Sequence, residues 1–312
     1  MHWYYILLIV ISSLLLVGLL LFVILGELFY EVSFSRRKGD KNFATNEDPE
    51  AKKHHSRVWF FSQRIEEYQM KSFDKKLLKG YMIRNGDSKK VALLVHGYHG
   101  RYYSLDVQAE MLYKAGYNIF AINHRASDTS QGRFLTMGPK ETKDVLDWIN
   151  LLVKENNEYE IVLLGVSMGA HIVMMVSGNK NLPSNVKCSI EDCGYASLEE
   201  TLHRIIHSGK IPHFLAEIVF ICGRYACKLF HGHSMNSDTK DALSVCNIPM
   251  LFIHGSKDTF VTFDNLNKNY SNLSTAVYKE KRIFEAGHAE SYRLFEAEYC
   301  ETIVNFVNRF IK

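Results

Sequence analysis

Residues 91–95 read VALLV, and no polar residue among them marks a solvent-facing side. A strand with one wet face alternates polar and apolar residues. A run that is apolar throughout belongs to a strand buried on both faces, as in a parallel sheet covered by helices. Further strand runs are expected at 117–122, 161–164, 186–190, 250–253 and 277–284, and two more, 67–72 and 76–83, read as strands joined by a tight turn. Helical stretches separate them: 103–115, closed by Gly116, then 142–154 with Val145, Leu146, Ile149 and Val153 on one face, 170–177, and a last helix over about 295–311. Strands alternating with helices predict an α/β domain with a mostly parallel, doubly wound sheet and helices on both faces.

Two segments depart from this rhythm. Residues 195–245 are helical in character (198–206 and 214–230) and contain no clear strand, so an insertion acting as a helical cap is expected there. At the other departure, residues 1–26 carry no formal charge, and residues 6–25 are almost all Leu, Ile, Val and Phe. About twenty apolar residues are what a helix needs to cross the hydrocarbon core. Trp3, Tyr4 and Tyr5 at one end, with Phe29 and Tyr30 at the other, suit the two interfaces. A cleaved signal peptide fits less well, because no Lys or Arg precedes the run and no small-x-small site follows it cleanly. Arg36, Arg37, Lys38 and Lys41 follow the span, so a single-pass protein of the cell membrane with its main domain in the cytoplasm is expected. The expected organisation is an anchor over 1–30, a polar linker over 31–60 and the α/β domain over 61–312.

Composition excludes little else. The net charge of +3 gives no ground for a nucleic-acid partner, and six scattered cysteines form no C-x-x-C pair. Cys188 and Cys193 read as small buried hydrophobes. The histidines show no metal-ligand spacing with acid partners, no H-E-x-x-H occurs, and no P-loop or G-x-G-x-x-G appears. No metal and no cofactor is expected.

Gly165-Val-Ser-Met-Gly169 follows an apolar strand run and opens a helical one. A sharp strand-to-helix turn of this G-x-S-x-G kind pushes the serine hydroxyl out at the sheet edge and aims helix N–H groups beside it. Ser167 is therefore the candidate nucleophile. His96-Gly-Tyr-His-Gly100 ends the VALLV run, and the backbone N–H groups of Tyr98 and Met168 are the candidate oxyanion donors. The His96 side chain reads as a brace for its loop. Asp258 lies just past one strand run and His288 just past the next. An acid that orients a base, and a base that takes a proton from a serine, need this convergence. Asp192, at the end of another strand run, is the rival acid.

Taken together, HGYHG, GVSMGA, DCGYAS, IPMLFIHGSKDTFV and AGHAES resemble the α/β-hydrolase family, in a bacterial branch grouped with serine aminopeptidase-like hydrolases and acyl esterases. The resemblance runs from about residue 67 to the end of the chain. It implies the α/β-hydrolase fold and a triad of Ser167, Asp258 and His288, with Tyr98 and Met168 as oxyanion donors. The segment from Asn123 to Gly132 departs from the pattern, since relatives usually begin it with Asp and have glycine where Asp128 stands. The expected activity is hydrolysis of a small-molecule acyl ester or lipid-like substrate through an acyl-enzyme intermediate. A serine peptidase with the same triad and a non-catalytic binding scaffold are the alternatives.

Overall fold

The computed structural model describes residues 3–36 and 59–312. Arg37, Lys38 and Lys41, with most of the expected linker, lie outside the described residues. The chain divides into two compact units, one formed by Met1–Ser35 with Glu199–Asn236 and the other by Arg36–Leu198 with Ser237–Lys312.

The larger unit is built on an eight-stranded sheet: β1 (Glu66–Lys71), β2 (Leu77–Ile83), β3 (Lys90–Val95), β4 (Asn118–Ile122), β5 (Glu160–Val166), β6 (Val186–Asp192), β7 (Met250–Gly255) and β8 (Lys279–Phe284). Their spatial order is β1-β2-β4-β3-β5-β6-β7-β8. β2 runs antiparallel to β1 and β4, and every pairing from β4 to β8 is parallel. The all-apolar runs take the central positions, as their lack of a wet face requires. β8 (KEKRIF) is an edge strand and keeps its charged residues partly exposed.

Helix α1 (Trp3–Phe34) belongs to the smaller unit. Around the sheet lie α2 (Asp106–Lys114), α3 (Glu141–Glu155) and α4 (Met168–Ser177). Then come α5 (Leu198–His207) and α6 (His213–Leu229), followed by α7 (Thr239–Ser244), α8 (Asp264–Asn272), α9 (Ser291–Leu294) and α10 (Glu296–Val307). On one face of the sheet Ala92, Leu94, Val162, Leu164, Leu251 and Ile253 pack in one core with Leu112, Ile303 and Phe306. On the other face Met250 and Phe252 pack with Met174, Leu243 and Leu266.

The parallel register has a functional consequence. Val95 pairs with Gly165, Val166 with Asp192, Asp192 with Ile253, and Gly255 with Phe284. The ends of five strands, β3, β5, β6, β7 and β8, are thus level along one edge. The turns that leave them carry the HGYHG loop, Ser167, Asp258 and His288.

In the smaller unit α1 packs on α6 through small residues. A Cβ added to Gly26 would lie 2.7 Å from the Cys222 carbonyl oxygen, and one on Gly223 would lie 2.1 Å from the Phe29 ring. That backbone approach is open to glycine alone. Phe29 meets Phe220 edge to face, Tyr30 stacks on His231 at 3.4 Å, and Glu27 lies 3.1 Å from His231 Nε2. The sequence places the end of this segment at residue 30, but the helix continues to Phe34, which is buried and lies close to Tyr30 and His233. By length and composition this helix is long and apolar enough to cross a membrane.

Candidate active site

Ser167 sits between β5 and α4 with φ 57° and ψ −116°, a conformation an L-residue adopts only under constraint. Two glycines supply the constraint. A Cβ on Gly165 would lie 2.3 Å from the Gly169 carbonyl oxygen, and one on Gly169 would lie 1.9 Å from that of Val95. The Ser167 amide donates to the Asp192 carbonyl at 2.8 Å, which ties the turn to the neighbouring strand end. The side chain that results is half-buried between two buried neighbours.

The three predicted side chains meet. Ser167 Oγ lies 2.8 Å from His288 Nε2, and His288 Nδ1 lies 2.7 Å from Asp258 Oδ2. Asp258 Oδ1 accepts from the amides of Phe260 and Val261, both at 2.9 Å, so the carboxylate is held on both oxygens. Burial pushes the Asp258 carboxyl up, but hydrogen bonds from His254 and His288 outweigh it and bring the value down to about 2. Asp258 is therefore ionised at any ordinary pH. The Phe260 ring packs against His288 at 5.0 Å. Gly287 donates its amide to Glu290, which shapes the loop that carries the histidine.

Met168 opens α4, so its N–H belongs to the first-turn amides that a helix leaves unused. A Cβ on Gly97 would lie 3.4 Å from the Ser167 Cβ, which places the turn entering Tyr98 beside the serine. His96 is fully buried and braces that turn. Its Nδ1 bonds the Gly97 carbonyl at 2.7 Å, its Nε2 accepts from the His124 amide, and burial lowers its pKa. Asp192 goes elsewhere. Its Oδ2 accepts from the Tyr299 hydroxyl at 2.9 Å, and burial raises its pKa to about 6.

The unusual segment after β4 keeps its shape by other means. Asp128 takes φ 43°, where relatives are expected to place glycine, and Asn123 donates to Asp128 and Thr129 while accepting from the Tyr102 amide. A short polar side chain tolerates this left-handed backbone.

Comparison with known proteins agrees with this architecture. A family model described as "Serine aminopeptidase, S33" matches residues 86–190. The uncharacterized protein YqkD of Bacillus subtilis (strain 168) is 23% identical over 235 residues, 74% of this chain and 75% of that protein. Among solved structures, the esterase Pf2001 of Pyrococcus furiosus superposes with a TM-score of 0.67 at 23% identity, covering 81% of this chain and 95% of that one. The esterase EaEST of Exiguobacterium antarcticum gives 0.57 at 17% identity, over 77% and 98%.

The chain has the α/β-hydrolase fold.

Within this fold, several neighbours of the site escaped the sequence reading. His254 Nε2 bonds the Val261 carbonyl at 2.8 Å and lies 3.4 Å from Asp258 Oδ2. Its position at the end of β7, four residues before the acid, was the available signal. Cys193, expected only as a buried hydrophobe, takes φ 51° and lies with Asp258 and His288 in one tight cluster. Arg125 is buried and grips Asp144 through two nitrogens at 2.8 and 2.7 Å, with Asp74 at 2.9 Å. A second polar cluster that the sequence reading did not single out lies in the smaller unit. His203 and His207 of α5 bring their ring nitrogens to the Glu217 carboxylate of α6, a grouping that no single-helix motif contains.

Proposed function

We propose that this protein is a membrane-anchored serine hydrolase that cleaves carboxylic esters through Ser167, His288 and Asp258. The observation that carries the reading is the unbroken relay from Ser167 Oγ through His288 to Asp258, at 2.8 and 2.7 Å. His288 Nε2 takes the hydroxyl proton as Ser167 Oγ bonds to the ester carbonyl carbon. The developing oxyanion is received by the amides of Met168 and Tyr98. His288 then delivers the proton to the leaving alcohol, which departs and leaves an acyl-serine. Water, activated by the same imidazole, releases the acid. Asp258, ionised and fixed by two backbone amides, holds the His288 tautomer and stabilises the imidazolium.

The substrate is an acyl ester with an apolar chain, met at a bilayer that α1 spans. Two features of the smaller unit support this. An apolar slot of about 350 Å³ is lined by Leu25, Phe29, Val32, Leu202, Ile205 and Val219, among others. On α6, Phe214, Ile218, Ile221, Tyr225 and Leu229 form an exposed stripe at helical spacing, as in a helix that lies in a membrane interface. The bases that follow α1 in the sequence support a cytoplasmic side for the larger unit.

Fluorophosphonate labelling, with p-nitrophenyl esters from acetate to decanoate, tests the reading. Wild type labels, Ser167→Ala does not, and kcat/KM rises with acyl length. Labelling that persists in Ser167→Ala refutes the nucleophile. The family model's description favours a peptidase as the second reading; a flat ester series with faster cleavage of aminoacyl amides selects it.

A further inference from the structure

The geometry points to a transition-metal site on the smaller unit, formed by His203 and His207 of α5 with Glu217 of α6. His203 and His207 stand one helical turn apart, so their imidazoles lie on the same face of α5, with centroids 4.2 Å apart. Glu217 Oε2 reaches both from the neighbouring helix, 3.0 Å from His203 Nε2 and 3.2 Å from His207 Nε2. The three donor atoms all fall within 4.8 Å of one another. In a tetrahedral zinc site with bonds near 2.0–2.1 Å, adjacent donors lie about 3.3 Å apart. The two measured edges come within a few tenths of an ångström of that value.

Without metal, one carboxylate oxygen accepts from both imidazole N–H groups. On a surface where His203 and Glu217 are nearly half exposed, such bonds contribute little to stability. Two further contacts orient the rings as a metal site needs. His207 Nδ1 lies 3.1 Å from His213 Nδ1, the outer partner that fixes a liganding imidazole with Nε2 free for the ion. The His203 ring stands edge-on to Phe220 at 4.9 Å, which limits its rotation. Two imidazoles and one carboxylate suit Zn²⁺, or Co²⁺ as its spectroscopic substitute, and do not suit Mg²⁺ or Ca²⁺, which take oxygen donors. A fourth position is left for water. The bound ion clips α5 to α6 across residues 208–212, so it would fix the geometry of this helical pair.

The test uses the full chain in detergent micelles, freed of metal with a chelator and carrying no histidine tag. Zn²⁺ is titrated against a chromophoric chelator, and Co²⁺ is followed by its visible d–d absorption. The expected result is one equivalent bound, with a Co²⁺ band of four- or five-coordinate intensity. His203→Ala, His207→Ala and Glu217→Gln should each weaken binding by at least tenfold. All three positions are partly exposed, and circular dichroism checks that the variants keep wild-type helix content. His213→Ala should weaken binding less than His207→Ala, because it acts through that ring. Wild type that binds no Zn²⁺ at micromolar concentration overturns the site. So does binding that all three variants retain, since the metal would then be held by other histidines.

Discussion

His254 Nε2 approaches the same Asp258 oxygen that His288 engages, at 3.4 Å against 2.7 Å. Its shorter bond, 2.8 Å, is donated to the Val261 carbonyl in the turn that follows the acid. His254 thus fixes the Asp258 loop from below while adding positive potential near the carboxylate. Burial lowers its pKa, but Asp258, Glu191 and the Val261 carbonyl outweigh burial and raise it. We expect His254→Leu to lower ester kcat by roughly tenfold with little change in KM, since the loop loses its tie and a buried carbonyl its donor, worth about 1–3 kcal/mol. His254→Gln, which can donate to Val261, should recover part of the loss. Steady-state kinetics on both variants checks this.

Asp258→Asn and Asp192→Asn should differ sharply. The first removes the acceptor that sets the His288 tautomer, and kcat should fall by about 10⁴. The second keeps an acceptor for the Tyr299 hydroxyl and should leave kcat within about tenfold of wild type. The reverse ranking would transfer the acid role to Asp192.

Asp192 also predicts a pH effect on stability. Its folded value of about 6 lies above its ordinary 3.8, so the folded chain holds a proton where the unfolded chain has lost it. Stability from this group is present below pH 4 and is lost as pH rises towards 6. Asp192→Asn is free of that loss. Between pH 4 and pH 7 the stability difference should move in the variant's favour by on the order of 2–3 kcal/mol, read from denaturant midpoints.

Arg125→Met should destabilise by about 3–5 kcal/mol, because the buried Asp144 carboxylate loses its bidentate partner. That corresponds to a fall in Tm of roughly 10 °C for a domain of this size. Adding Asp144→Leu should restore part of it, since the bidentate partner then carries no charge, while Asp74 and Glu141 still lack Arg125. Calorimetry on the single and double variants measures the coupling.

Much of the larger unit was legible because its signals are local. VALLV and the apolar runs that follow have no wet face, and β3 to β7 lie where those runs fall. The register that levels the strand ends then brings Ser167, Asp258 and His288 together, so their order along the chain was enough to connect them. What escaped depends on contacts between distant segments. Helix α8 (DNLNKNYSN) buries Leu266 alone among its strongly apolar residues, and its other buried positions are Asn265 and Asn269, so no apolar periodicity announces it. Arg125 looks like any surface base until Asp144 and Asp74 close on it. His203 and Glu217 are fourteen residues apart on two helices, a spacing that acquires meaning only when α5 folds back on α6. The continuation of α1 to Phe34 was hidden because Glu27 and Glu31 look like the end of an apolar run. Glu27 instead meets His231 within the unit.

The close seating of Gly26 against Cys222 and of Phe29 against Gly223 means that α1 cannot change its tilt without moving α6. Tilt is how a spanning helix adjusts to the thickness of its bilayer. Under the proposed anchoring, a thin membrane and a thick one would present this helical pair in different poses, and the span would serve as a gauge as well as a tether.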